Sequence, residues 1–449
     1  MNLLKFIPQS LQGYIAQHSQ FSKILENIGW LFFDKILRMG LGLFIGVWIA
    51  RYLGPEQFGL LSFAVAFTWL FGAVSTLGLP EIVVRDLVRK PDTKLETLGT
   101  AAALLLLGGV LTYCLILITI FWIRPEDLLA KVLVAILGSV VLFKASEIAI
   151  YWFESQVLSK YSVWAQNSSF IIFTTIKALL IIRSAPLPAF AWATLGEALM
   201  TTLLLSIVLG KHGPQLVQLR VKLARAKELL SDGWPLLLSG MVLMLQARVD
   251  QIMLGQMIGD NEVAQYSVAL RIIETSAFVG VVLKSTFSPA IITAKENSKD
   301  DYLKKLISFY KLNFLVSILI TLPVAIFSIQ IIDVLFGDEY SRAAPILSLM
   351  SLRIIFSHFG IARSIYLLNE NLLNYSAMTM FIGTITNILL NYYMIPIYGG
   401  IGATFASLIS FFMTIFFIDF FYVRTRENAR LMIFSILNYN SFFRNKNLS

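Results

Sequence analysis

Uncharged stretches long enough to cross a bilayer recur along this chain, and they leave few folds open to it. Residues 98–123, 58–80 and 312–332 contain no Asp, Glu, Lys or Arg. A helix needs about 20 mostly apolar residues to span the hydrocarbon core. About twelve such stretches tile the chain, near 27–50, 57–80, 97–123, 130–152, 162–182, 186–209, 234–257, 264–290, 309–334, 344–368, 372–395 and 400–422. Short polar breaks separate them. Only 14% of the residues are charged, against roughly 25% in a soluble domain. The reading is an all-α, polytopic membrane protein, because no soluble core hides so many all-round apolar helices.

Basic residues set its orientation. With the N-terminus inside, the cytoplasmic segments collect Lys5 and Lys23, then Arg85, Arg89, Lys90 and Lys94, then Lys160. They go on to collect Lys211, Arg220, Lys222, Arg225 and Lys227, then Lys295, Lys299, Lys304, Lys305 and Lys311, and last Arg424, Arg426, Arg430, Arg444 and Lys446. The outer loops keep only Arg51, Arg124, Lys131, Arg183 and Arg342. By the positive-inside rule both termini face the cytoplasm, as expected of a multi-pass protein of the inner (plasma) membrane. Trp30, Trp48, Trp122, Trp152, Trp164, Trp192 and Trp234 lie near span ends, where amphipathic rings prefer the interface, while Trp69 sits within a span. The net charge of +9 is thus a membrane signature, not a nucleic-acid one.

Residues 1–25 lack the continuous apolar core of a signal peptide and read as an amphipathic segment on the cytoplasmic surface. Residues 211–232 read as an amphipathic cytoplasmic linker between an N-lobe, 26–210, and a C-lobe, 233–422, with a cytoplasmic tail over 423–449. Cys114 is alone and lies in an apolar run, so it reads as a core hydrophobe. His18, His212 and His358 are too scattered for a ligand pair, and neither a metal nor a cofactor is expected.

The two sets of six spans resemble each other. Gly29-Trp30 and Gly233-Trp234 open the first span of each. Some 25 residues on, Gly54-Pro55-Glu56-Gln57-Phe58-Gly59-Leu60-Leu61-Ser62-Phe63-Ala64 lines up with Gly259-Asp260-Asn261-Glu262-Val263-Ala264-Gln265-Tyr266-Ser267-Val268-Ala269. Small residues match at Gly59 and Ala264. Six spans each and equal orientation mean a parallel repeat about an axis along the membrane normal, and repeat-built transporters hold substrate near the midplane. The expected architecture is two pseudo-symmetric six-helix lobes around a central cavity.

Several turns carry a family resemblance. Trp48-Ile49-Ala50-Arg51-Tyr52-Leu53 runs into the Gly54 turn. Leu77-Gly78-Leu79-Pro80-Glu81-Ile82-Val83-Val84-Arg85-Asp86 leaves the second span. Tyr151-Trp152-Phe153-Glu154-Ser155-Gln156, with Ser159-Lys160-Tyr161, precedes the fifth. Phe336-Gly337-Asp338-Glu339-Tyr340 and Asn387-Ile388-Leu389-Leu390-Asn391, with Ile395-Pro396-Ile397-Tyr398-Gly399-Gly400-Ile401-Gly402-Ala403, mark the second half. Together, over residues 25–422, they resemble the Wzx-type O-antigen and exopolysaccharide flippases of the MOP superfamily. That resemblance implies a two-lobed bundle, alternating access and a polyprenyl-diphosphate-linked glycan as cargo. It also implies surrounding membrane lipids, with a polysaccharide polymerase and glycosyltransferases as partners.

Ionisable residues within spans are costly and usually serve a cavity or a partner. The basic ones are Lys35, Arg38, Lys144, Lys177, Arg248, Arg271, Lys284, Arg353 and Arg363. Same-helix spacing pairs Asp34 with Arg38, Lys144 with Glu147 and Arg271 with Glu274. Cations then outnumber acids, which suits a phosphate or diphosphate leaving water. Lys35, Arg38, Arg248, Arg271 and Lys284 are the expected substrate-binding residues. Asp34, Asp250 and Glu274 would hold those cations or exchange protons. Arg363 is expected to snorkel to the cytoplasmic end and Asp333 to be solvated.

A drug or cation exporter of the same superfamily would want an acid-rich cavity. A lipid II flippase would share the cationic logic. An enzyme acting on sugars outside would need an extended outer loop, and 124–129, 183–185 and 396–399 are short. No Asp-x-Asp cluster, His pair or Gly-rich phosphate loop appears, so a transporter is expected rather than an enzyme. A channel fits the densely charged spans less well than a carrier.

Overall fold

A computed structural model describes the backbone of residues 19–437 and side chains from Glu26 onward. Residues 1–18 of the expected surface segment 1–25 fall outside these residues, as does the tail beyond 437, while 19–25 already belong to the first helix.

Ten helical rods among the described residues are long and apolar enough to cross a membrane. The first, α1 (Ser19–Leu70), turns at Gly54, whose φ of 69° is open to glycine at little cost, with Pro55 directly after it. Then come α2 (Gly72–Thr76), α3 (Leu79–Arg89) and α4 (Lys94–Ile123). Next, α5 (Leu128–Gly138), a nine-residue 3₁₀ stretch (Ser139–Glu147) and α6 (Ile148–Ser155) form a single rod. The chain continues through α7 (Lys160–Ile182), α8 (Leu187–His212), α9 (Leu223–Met257) and α10 (Asp260–Asn297). Beyond these lie α11 (Lys299–Ile326), α12 (Ser328–Leu335), α13 (Ala343–Met350) and α14 (Leu352–Asn369). The last long rod, α15 (Leu373–Phe412), turns at Gly399 (φ 56°) and runs into a π-helical turn, Met413–Phe417, before α16 (Arg426–Leu437). Because α1 and α15 each fold into two arms, ten rods account for twelve spans.

Local chemistry ends these helices where the sequence permits. Leu77 and Gly78 are successive left-handed residues, and Pro80 enters the first turn of α3, where no amide hydrogen is needed. Asp127 caps α5 by accepting from the Ala130 amide at 2.8 Å. Ser298 caps α11. The outward face is apolar: Leu111, Ile118 and Trp122 on α4 are all exposed. That is a liability in water and a requirement in lipid. Cys114 lies on this exposed face, so the core position expected for it is corrected. In a lipid-facing helix, burial in protein is not what keeps an apolar side chain from water.

The chain divides into two compact units, one of Met1–Tyr52 with Phe67–Met244, the other of Leu53–Ala66 with Leu245–Ser449. The sequence lobes, 26–210 and 233–422, therefore differ from this grouping at 53–66 and 233–244. Glycine explains both exchanges. A Cβ at Gly59 would fall 1.8 Å from the Asp260 carbonyl oxygen, so only glycine lets this arm of α1 lie against the start of α10. In the first unit a Cβ on Gly78 would lie 2.3 Å from the Gly233 carbonyl oxygen, which places the opening turns of α9 beside α3. The expected linker is also shorter than 211–232, because α9 already begins at Leu223. Its chain before that hydrogen-bonds along α4, through the Arg220 amide to Leu95 and the Lys222 amide to Thr100.

The first unit has a core of Leu79, Val83, Leu98, Leu105, Phe153 and Leu209. The second is centred on Tyr310, Phe359, Tyr366 and Phe416. Part of the expected tail joins the second core: α16 inserts Ala429 and Met432, both fully buried. At one end of the second unit several resemblance motifs meet. Glu262 accepts from the Gly400 amide at 2.7 Å and pairs with Arg342. Gln265 donates to the Glu339 carbonyl at 2.9 Å, and Phe58 packs edge-on to Tyr340.

Gly59→Val should overpack the α1–α10 crossing by about 1–3 kcal/mol or more. The expected outcome is a lower melting temperature in detergent and less folded protein in membranes. A wild-type melting curve would show that the crossing does not need glycine.

Candidate functional site

In the first unit the span charges sit mostly in pairs. Arg38 donates to Asp34 at 2.8 Å, one turn apart on α1. Lys144 contacts Glu147 at 2.6 Å, and Tyr151 donates to the same carboxylate at 3.1 Å. Lys177, which has no acid on its own helix, reaches Glu197 on α8 at 3.1 Å. Lys35 is exposed and forms no ion pair among the described residues. At the end of this unit that carries the basic loops, Arg225 bonds Asp86 at 2.6 Å, and Arg85 bridges Asp86 and Asp232. Hydrogen bonds from Arg85 to Asp232 and then to Asp86 raise the arginine's pKa above its ordinary value.

The second unit departs from the expected pairing. Glu274 does not pair with Arg271. Arg248 on α9 takes that carboxylate at 3.0 Å and also donates to Gln251 at 3.3 Å. Arg271 instead lies 5.9 Å from the centre of the Phe58 ring. Its Nη1 is shielded from solvent without a hydrogen-bond partner. A long side chain from a neighbouring helix has thus displaced the same-helix contact, leaving two arginines to one carboxylate. Lys284 is half-buried with no ion pair among the described residues.

Asp250 does not hold a cation either. It is buried and accepts from Tyr266 at 2.6 Å, from the Asn391 amide at 2.7 Å and from the Ser407 hydroxyl. Residues two apart on a helix do not face each other, so Arg248 and Asp250 point to different surroundings. Asn391 also donates to Asn387 at 3.3 Å. Three neutral donors replace the water that this carboxylate loses on burial. The sequence reading missed these partners. Their available signal was an Asn pair four residues apart on an otherwise apolar helix.

Arg363 does not snorkel. It is buried and grips Asp419 with two hydrogen bonds, 2.9 Å from Nε and 2.6 Å from Nη2. Tyr375 at 3.0 Å and Asn428 at 3.2 Å complete the carboxylate's shell. A fork-shaped partner with every lone pair engaged makes burial tolerable. Asp419, inside the last span, was the overlooked acid. Asp333 is exposed.

Charged, hydrogen-bonded residues within spans usually serve a cavity or a partner. Residues 24–279 match the polysaccharide biosynthesis protein family. The chain belongs to that family. An uncharacterised membrane protein of Methanocaldococcus jannaschii is 22% identical over 422 residues, 87% of this chain and 82% of its own length. An inward-facing multidrug-resistance MATE transporter of the MOP superfamily superposes with a TM-score of 0.69 at 14% identity, over 94% of this chain and 99% of that one. The lipid II flippase MurJ, inward closed, gives 0.69 at 14% identity, over 95% and 94%. A MOP transporter from Pyrococcus furiosus gives 0.60 at 14% identity, over 92% and 96%. At these identities the likeness is one of fold. This polysaccharide biosynthesis family member is a multi-pass membrane protein with the fold of MOP-superfamily transporters.

The pairing separates structural from available cations. Arg363→Ala strands Asp419 in the interior, at a cost of about 3–5 kcal/mol, and should sharply reduce folded transporter in membranes. Arg271→Ala strands no carboxylate and should leave abundance near wild type. Quantitative immunoblots of both variants check this, and equal abundance would contradict it.

Proposed function

We propose that this transporter moves a polyprenyl-diphosphate-linked glycan from the cytoplasmic to the outer leaflet by alternating access, supplying surface polysaccharide synthesis. The observation that carries the reading is the surplus of positive charge in the second unit. Arg248 takes Glu274, Arg271 is left without a carboxylate, and one Arg271 nitrogen has no hydrogen-bond partner among the described residues. Guanidinium groups bind phosphate oxygens bidentately and remain charged when desolvated. A diphosphate headgroup leaving water would satisfy that nitrogen and offset the like-charge repulsion. Lys284 adds to the positive set of this unit, while in the first unit Lys35 has no ion pair among the described residues and Arg38 is paired with Asp34. Family membership supports the glycan half of the cargo, and a drug cation would find the Arg248–Arg271 region repulsive.

Asp250 is the proposed coupling residue. A carboxylate held by hydroxyl and amide donors, and not by a cation, can take up a proton or a small cation without breaking an ion pair. The basic loops support cytoplasmic termini by the positive-inside rule, and on that reading transport runs outward from the cytoplasmic side.

Arg271→Ala and the double variant Arg248→Ala with Glu274→Gln, neither of which strands a carboxylate, should each abolish complementation of a flippase-deficient strain at normal membrane abundance. Normal surface polysaccharide in both variants would remove the diphosphate reading.

A further inference from the structure

The charge ladder leaves one feature of the first unit unused. Arg38 on α1, the 3₁₀ stretch, Gln166 on α7 and the middle of α8 line an open cavity of about 330 Å³. Its polar wall includes Lys144, Glu147, Glu197, Thr201 and Thr202, and its apolar wall includes Phe143 and Leu205.

Two properties of this cavity point to its occupant. The first is charge balance. Every ion on its wall is neutralised: Arg38 by Asp34, Lys144 by Glu147 and Glu197 by Lys177. A free anion or cation would find no surplus charge to pair with. What remains is unspent hydrogen bonding. Gln166 and Thr201 make no side-chain hydrogen bond among the described residues, and Thr202 has capacity beyond its contact with Ser146 at 3.2 Å.

The second property is the winding of the wall. Nine residues of 3₁₀ helix, Ser139–Glu147, far exceed the usual three or four. At three residues per turn, side chains three apart eclipse. Val140, Phe143 and Ser146 therefore form one row, and Lys144 and Glu147 fall in the adjacent one. An α-helix would fan each row by about 60° per step and turn part of it out of the cavity. The unusual winding thus aims apolar, hydroxyl and charged groups into one space.

We propose that this cavity is a subsite for one neutral pyranose residue of the transported glycan. A hexose ring is uncharged, rimmed by groups that both donate and accept, and apolar on its C–H faces. It matches an ion-balanced wall with free amide and hydroxyl groups on one side and Phe143 and Leu205 on the other. Gln166, Thr201 and Thr202 are the specificity-determining residues. The assignment rests on the flippase reading, but the two can fail separately.

The test uses purified full-length protein in detergent and two probes. One is the lipid-linked glycan extracted from cells lacking this transporter, and the other is bare undecaprenyl diphosphate. The variants are Gln166→Met and Thr202→Val, close in volume to the native residues, with melting temperature as the check on folding. The expected result is about a tenfold weaker affinity for the glycan-bearing lipid, with unchanged affinity for the bare diphosphate. Loss for both probes, or for neither, in variants that melt like wild type overturns the subsite. If one variant fails to fold, the other carries the comparison. Wild-type protein that binds neither probe overturns the flippase reading and the subsite together. Wild-type protein that binds both equally overturns the subsite alone.

Discussion

A charge inside hydrocarbon must be paired, hydrogen-bonded or put to use, and this constraint organises the two units. Arg363 and Asp419 show the paired solution, with three side chains making four hydrogen bonds to one carboxylate. Asp250 shows the hydrogen-bonded one, a carboxylate surrounded by neutral donors. Arg271 shows the third, a guanidinium nitrogen with neither. Leaving such a group unsatisfied in an interior is expensive. It is therefore a group in the second unit with hydrogen-bonding capacity to spare.

The same constraint governs the backbone. Peptide groups in lipid must bond within their own segment, so the described chain is helical through every span. Departures occur where a specific residue permits them. Gly54 and Gly259, matched in the internal repeat, both take positive φ. Gly399 breaks α15 where Glu262 caps the freed Gly400 amide. The 3₁₀ stretch over 139–147 is different, since no glycine or proline within it forces the winding. It is the departure that faces a polar cavity in the first unit.

On the proposed reading the protein meets two separate physical demands. A diphosphate needs surplus positive charge, while a glycan needs balanced, hydroxyl-rich walls. One kind of surface cannot provide both, because cations numerous enough to compensate a diphosphate would leave a neutral sugar's partners underused. The surplus lies in the second unit and the balanced cavity in the first.

The sequence alone determined the spanning helices, their number and the family. Each depends on local composition: apolar length, glycine and proline turns, and short motifs around Gly54, Gly78, Phe336 and Gly399. It also determined the ion pairs within a helix turn, Asp34 with Arg38 and Lys144 with Glu147, because helical spacing is known in advance. Only the tertiary structure decided the partnerships between helices. Arg248 took Glu274 from Arg271, Arg363 found Asp419, and Tyr266, Asn391 and Ser407 gathered at Asp250. It likewise decided that 53–66 packs with the second unit, through an approach only Gly59 allows. Those outcomes turn on which helix faces meet, and facing is set by packing over the whole bundle, which no local window of sequence records.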